Sequence, residues 1–297
     1  MTNMNDAETD SLKEVAWNGI RLMTPLNWEI GKIGARYLFF ENESGPLLEI
    51  KWNTVGEKFS HADQFRKLSE FKRKIPEKKL HRFELPIKLA KALGDYQTTG
   101  FSWCSDKMVG TGVILYCSVC RKAALIQFFF DPSQESNDIF LNILRSFRDH
   151  RNDDQIIWSV FDIRAVVPKI YRLERFRFEP GRFRLDFYTP GQRLFLHRWA
   201  PALTLLEKKD FSRFASKQFD LSGGVLHATT INGCDAVKWE GKSSGAFWER
   251  LIQKEPFRLL RLWHLTKKNR IHGVWVEGKK PIDADLLTTI CADYESL

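Results

Sequence analysis

The stretch Tyr37–Trp52 reads YLFFENESGPLLEIKW, and Arg184–Trp199 reads RLDFYTPGQRLFLHRW. Each is one strand pattern, a turn cluster and a second strand pattern. Asn42-Glu43-Ser44-Gly45-Pro46 and Thr189-Pro190-Gly191-Gln192 supply the polar, Gly- and Pro-rich chemistry of a hairpin. Leu38, Phe40, Leu47 and Trp52 fall on Leu185, Phe187, Leu194 and Trp199 at one constant lag of about 147 residues. Large apolar side chains that recur in order and in phase face the same packing problem twice.

Outward from these hairpins the correspondence continues. Upstream, Trp17 matches Trp158, Pro25 matches Pro168 and Trp28 matches Tyr171. Downstream, Phe65, Leu68, Phe71 and Ile75 recur at three- and four-residue steps, which places them on one helical face. Leu203, Leu206, Phe211 and Phe214 form the expected counterpart. Asn232-Gly233, favoured chemistry for a tight turn, joins Val225–Thr230 to Ala236–Trp239, and its first-half counterpart is expected near Leu93-Gly94-Asp95. Each half then ends in strands and a helix. Ile139, Phe140, Ile143 and Phe147 match Leu286, Leu287, Ile290 and Tyr294 as one apolar stripe, and an insertion around Gly241–Pro256 accounts for the drift in lag. The expectation is an α+β protein of two tandem copies, each a largely antiparallel sheet flanked by helices. The copies span residues 15–150 and 155–297, after a disordered tail, Met1–Glu14, and across a short polar joint, His150–Gln155, that leaves the copies touching.

A chain of 297 residues with 43% hydrophobic and 28% charged residues can bury full cores, and its 23 Phe and 10 Trp are core-building material. No run approaches the length of a membrane span, and residues 1–14 lack a secretory h-region. Five widely spaced Cys imply no disulfide framework. Together these point to the cytoplasm. The net charge of +9 favours anionic partners without naming one, since no long Lys/Arg block is present.

Ile20-Arg21-Leu22-Met23-Thr24-Pro25-Leu26-Asn27-Trp28 resembles the strand, Pro, aromatic opening of the PsbP-like fold. Ile143-Leu144-Arg145-Ser146-Phe147 resembles its closing helix. That family includes the extrinsic PsbP subunit of photosystem II, a Ran-binding import factor and adaptor chaperones of type VI secretion. The second half departs from it at Ile290–Tyr294, which lacks the Ser-Phe pair. The resemblance implies a binding or chaperone-like scaffold without catalytic chemistry, and fold alone does not fix function.

Cys117-Ser118-Val119-Cys120 has the spacing of a zinc knuckle or redox pair. The thiols converge only if a turn begins there, because residues three apart on a strand face opposite sides. Arg121-Lys122 could supply that turn, and Cys104 a third ligand. With no second such motif in the sequence, both cysteines are read as small buried apolar residues, and no metal or cofactor is expected.

Arg175 and Arg177 alternate with Phe176 and Phe178; Arg182 and Arg184 alternate with Phe183 and Leu185. Strand geometry sends these arginines to one side, and Arg193 and Arg198 extend the strip. Guanidinium forks suit phosphate or carboxylate, although a solvated sheet face shows the same alternation. Lys72-Arg73-Lys74, Lys78-Lys79 and His81-Arg82 form a second basic cluster, which helix C-terminal charge explains without a ligand. The seven histidines form no zinc-hydrolase array; no nucleophile elbow or phosphate loop is present, and Gly110-Thr111-Gly112 is too short to count. Asp131 and Glu277 end comparable strands and are expected to flank helix N-termini. The leading expectation is therefore a non-enzymatic adaptor with a protein partner. The alternatives are an anion or nucleic-acid binder using the arginine face, and an enzyme whose site lies between the two copies.

Overall fold

Asn18 and Gly19 both take left-handed backbone angles (φ 46° and 86°), the geometry of a hairpin turn. They fold β1 (Leu12–Trp17) against β2 (Ile20–Pro25). The computed structural model describes residues 11–56, 59–73, 79–94, 96–105, 108–130, 137–207, 210–242 and 257–297. The chain divides into two compact units between Asn152 and Asp153. Leu12–Glu14, assigned to the tail on sequence, pair with Met23–Pro25 in β1 and β2; residues 1–10 of that tail lie outside the described residues.

In the first unit the elements after this hairpin are β3 (Glu29–Gly34), β4 (Tyr37–Asn42), β5 (Gly45–Thr54), α1 (His61–Arg73), β6 (Lys79–Phe83), α2 (Ile87–Ala92), β7 (Tyr96–Ser105), β8 (Met108–Cys117), β9 (Lys122–Phe130) and α3 (Asn137–Ser146). Seven of the strands form an antiparallel sheet in the order β3-β4-β5-β9-β8-β7-β6. One face carries Leu38, Phe40, Leu48, Ile50, Ile126 and Phe128, all buried. There α3 packs, with Phe140 edge-on to Phe128 at 4.5 Å. The Ser146 hydroxyl accepts from the Met23 amide at 2.9 Å, which ties α3 to β2. The opposite face buries Phe101, Trp103 and Ile114 under Phe65 and Leu68 of α1. Gly110 and Gly112 belong to that packing. A Cβ at Gly110 would run into the Trp103 indole, and one at Gly112 into the Ile126 carbonyl.

The second unit runs β10 (Gln155–Val160), β11 (Ile163–Pro168), β12 (Arg172–Glu179), β13 (Arg182–Thr189), β14 (Gln192–Trp199), α4 (Ala202–Leu206), α5 (Phe211–Gln218), β15 (Gly224–Ile231), β16 (Cys234–Lys242), β17 (Phe257–Leu265), β18 (Arg270–Gly278), α6 (Ala284–Ala292) and β19 (Glu295–Ser296). β10 pairs with β11, and β11 with β19. The seven-stranded antiparallel sheet has the order β12-β13-β14-β18-β17-β16-β15. In both units, therefore, the strands in chain order sit first, second, third, seventh, sixth, fifth, fourth across the sheet. Leu185, Phe187, Leu194, Leu196, Val274 and Val276 line one face, where Trp158 meets Phe187 at 4.9 Å. The other face buries Trp199, Trp239 and Trp275 under Phe214 of α5.

Three expectations change. Leu203 to Phe214 is not one helix, because the chain breaks after Leu206 and restarts at Phe211, where Asp210 caps α5 by accepting from the Arg213 amide at 2.5 Å. Leu203 is left 65% exposed, outside the apolar stripe. The turn expected at Leu93-Gly94 is the C-terminal end of α2, a short helix between β6 and β7 that the second unit replaces with the Asn232-Gly233 turn. The joint is also shorter than read, since Gln155 begins β10. The Phe71 side chain, Ile75, Asp95 and residues 243–256 of the insertion lie outside the described residues.

Candidate functional site

Strand register decides what the arginines of the second unit do. On β12 and β13, Arg175 stands opposite Asp186, Arg177 opposite Arg184 and Glu179 opposite Arg182. Directly paired residues point to the same side of a sheet. Arg175, Arg177, Arg182 and Arg184 therefore share one face, with Glu179 and Asp186 among them. That face is the one buried under α5 further along. Arg182 lies over the Trp199 ring at 5.7 Å and Arg184 over the Phe195 ring at 5.0 Å. Arg175 and Arg177, on the edge strand, are exposed.

Arg193 joins the strip, since it pairs with Tyr188 and Glu277 on this face. Arg198 does not. It is five residues on, an odd step, so it pairs with Phe183 on the opposite face. There it is buried, lies over the Phe183 ring at 4.2 Å and bonds Asp162, which also accepts from Arg270 Nε at 2.8 Å. The register adds a residue that local sequence does not connect to the strip: Arg258 on β17 stands opposite Glu277.

Arg182, Arg184 and Arg258 open onto a pocket of about 230 Å³ lined also by His197, Phe195, Phe219, Asp220, Trp275 and Glu277. Arg184 is paired with Asp186 at 2.5 Å and Arg258 with Asp220 at 3.1 Å. Glu277 accepts from the Trp275 indole at 2.9 Å. It is not at a helix N-terminus as expected; Asp283 holds that place on α6. Arg182 has no ion pair among the described residues. Its pKa is lowered by burial first and then by Arg184. His197 is 3% exposed, and its Nδ1 has no hydrogen-bond partner among the described residues. Burial, then the neighbouring Arg184 and Arg182, holds its imidazole neutral.

In the first unit Cys117 closes β8 and pairs with Lys122 at the start of β9, so Ser118–Arg121 form the turn between them, with Arg121 left-handed at φ 54°. The turn brings the two thiols to one place. It also brings in Asp149 and His150, which on sequence belong to the joint and its approach. Cys120 Sγ donates to Asp149 Oδ2 at 3.0 Å, His150 Nδ1 lies 2.6 Å from Asp149 Oδ1, and Cys117 Sγ lies 3.7 Å from His150 Nδ1. Cys104 is exposed on β7 and is not part of this group. Of the other basic cluster, His81 and Arg82 are exposed on β6; the side chains of Lys72–Lys79, and Asp131, lie outside the described residues.

No family model matches this chain, and no curated protein matches it. Among solved structures it is similar to a mutant of the protein Mog1, at 9% identity and a TM-score of 0.34, over 48% of this chain and 97% of that one. It is also similar to the apo immunity protein TplEi of T6SS from Pseudomonas aeruginosa, at 10% identity and a TM-score of 0.37, over 96% of this chain and 97% of that one. Likeness at that level says nothing of activity. No helix among the described residues is long and apolar enough to cross a membrane.

Proposed function

We propose that this is a non-enzymatic binding protein, built from two tandem copies of one PsbP-like α+β domain. Its second copy takes an acidic side chain of a protein partner between Arg182, Arg184 and Arg258. The observation that carries this is that Arg182, Arg184 and Arg258, from β13 and β17, line one pocket together, and that Arg182 has no ion pair among the described residues. A guanidinium fork presents several donors in one plane, and a carboxylate that accepts from them forms charge-assisted hydrogen bonds. A pocket of about 230 Å³ is smaller than the range of about 300–1,000 Å³ for small-molecule sites, and one carboxylate side chain fits it. The repeated strand order supports the tandem reading.

A nucleic-acid reading is less well supported. Stacking platforms for bases must be exposed aromatics. Here Phe219 stacks on Trp275 at 5.2 Å and Trp275 is 6% exposed, so these rings are already occupied.

The test is calorimetric titration at low salt with poly-glutamate and, separately, a single-stranded oligonucleotide of equal charge. Poly-glutamate binds, the oligonucleotide does not, and Arg182→Glu weakens binding about tenfold or more, the scale of one lost charge-assisted hydrogen bond. Equal binding by Arg182→Glu, or no binding of poly-glutamate, rejects the acidic-partner reading. Binding of the oligonucleotide alone transfers support to nucleic acid.

A further inference from the structure

We propose that Cys117, Cys120, Asp149 and His150 form a zinc site that clips the end of the first unit to the β8–β9 turn. One donor atom from each of the four lies within 4.8 Å of every other. Zinc–sulfur bonds of about 2.3 Å and zinc–nitrogen or zinc–oxygen bonds of about 2.0 Å make a tetrahedron with edges of about 3.3–3.8 Å. The Cys117 Sγ to His150 Nδ1 separation, 3.7 Å, is already such an edge. Two thiolates, an imidazole and a carboxylate are a donor set for a borderline-soft cation such as Zn²⁺, not for Ca²⁺ or Mg²⁺.

The surroundings fit a ligand set held in advance. Asp149 is 2% exposed, and its carboxylate bonds a thiol, the His150 imidazole and the Tyr96 phenol, which donates to Oδ1 at 3.0 Å. Burial makes this carboxylate favour nearby positive charge, and a divalent cation among these donors adds to what the Lys122 ammonium at the Asp149 carbonyl supplies. Oδ2 is the oxygen on the Cys120 side, while Oδ1 is shared by the Tyr96 phenol and, at 2.6 Å, His150 Nδ1, so Tyr96 helps to orient the carboxylate. Lys122 Nζ donates to the Gly19 carbonyl at 2.9 Å and also to the Asp149 carbonyl, and this holds the Asp149 main chain against the turn. Cys120 and His150 are half-buried, which leaves a path for the ion.

The second unit provides an internal control. Its equivalent turn, between β17 and β18, is closed by Leu265 opposite Arg270 and has Asn269 left-handed at φ 54°, as Arg121 is. The residues there are Thr266-Lys267-Lys268-Asn269, and the Asn269 amide donates to the Thr266 carbonyl at 3.1 Å. The turn thus closes without thiols. Cysteines at 117 and 120 are additions that turn geometry does not require. Zinc binding also frees two thiol protons, so affinity rises with pH.

The experiment uses the full-length protein without a histidine tag, stripped with a chelator and titrated with Zn²⁺ against a chromogenic chelator. One equivalent binds. Co²⁺ in its place gives thiolate-to-metal charge-transfer absorption and the intense visible bands of a tetrahedral ion. Cys117→Ser/Cys120→Ser loses the equivalent, whereas Cys104→Ser/Cys234→Ser keeps it. Should the first pair fail to fold by circular dichroism, His150→Gln, at a half-buried position, carries the test and weakens affinity at least tenfold. The proposal is overturned by absence of stoichiometric zinc, by zinc retained in the Cys117/Cys120 variant, by a Co²⁺ spectrum without thiolate bands, or by isolation of a Cys117–Cys120 disulfide from metal-free protein as the native form.

Discussion

His272 on β18 is fully buried, with Nε2 2.9 Å from the Ser296 hydroxyl and its ring stacked on Tyr294 at 4.1 Å. Burial pulls its pKa down to about 3, offset only in part by a hydrogen bond with the Tyr294 backbone. An unfolded histidine titrates near 6.5. Between those values the unfolded chain binds a proton that the native state refuses, so stability falls as pH is lowered through that window. At pH 5 the loss is about 2 kcal/mol relative to neutral pH. His197 acts in the same direction. Asp162 behaves differently: burial pushes its carboxyl up, but hydrogen bonds from Arg198 and Arg270 outweigh that and leave it below its usual value. Its contribution is present above about pH 4 and is lost only below it. Urea midpoints measured from pH 7.5 down to 5 should fall, and His272→Gln should flatten the fall; an unchanged wild-type midpoint would mean that the fold accepts a charged imidazole. The residue scale also marks what sequence can and cannot show. The arginines of β12 and β13 are legible because period-two alternation is local. Arg258 is not, because its place depends on pairing between strands far apart in the chain. For the same reason Cys117 and Cys120 look two ligands short in sequence, while Asp149 and His150 look like linker.

At the scale of elements, local signals succeed where the chain chemistry has one solution. Asn232 and Gly233 take φ 52° and 73°, and the hairpin is where the Asn-Gly pair puts it. The closing helices and the residues just after them bury Phe140, Ile143 and Phe147 in one unit and Leu287, Ile290 and Tyr294 in the other. The same turn signal at Asn18-Gly19 is masked because the residues before it read as a tail. Helix α2 escapes because six residues carry too little periodicity, and only Leu89 among them is buried. The break between α4 and α5 escapes because an apolar stripe says nothing about caps. Caps are also where an element-scale prediction can be made. The Asp283 carboxylate accepts from the amides of Asp285 at 2.9 Å and Leu286 at 3.4 Å, satisfying two donors that the first turn of α6 cannot. Asp283→Ala should cost about 1 kcal/mol in chemical denaturation. Asp283→Asn should recover most of it, since the cap needs an acceptor more than a charge. A loss of equal size in both variants would instead assign the effect to charge at the helix N-terminus.

Across the whole molecule, the repeated strand order sets a stability gradient that can be observed directly. In each sheet the third and seventh strands of the set lie side by side at the centre: β5 with β9, and β14 with β18. On one face of these pairs Ile50, Ile126, Leu196 and Val274 are almost wholly buried. The outermost strands are different. β15 shows an exposed pattern with Val225 65% exposed, and β12 alternates exposed arginines with half-buried phenylalanines. Amide exchange reports the free energy of opening each region, and buried central strands open only when most of the sheet does. The slowest amides should therefore fall on β5 and β9 in the first unit and on β14 and β18 in the second, with β12 and β15 exchanging faster by orders of magnitude. The same hierarchy in both units is what two copies of one packing solution require. If exchange mass spectrometry found β15 as protected as β18, or placed the most protected strands at different positions in the two sheets, the shared strand order would be a likeness of connection only, and the two halves would hold together by different means.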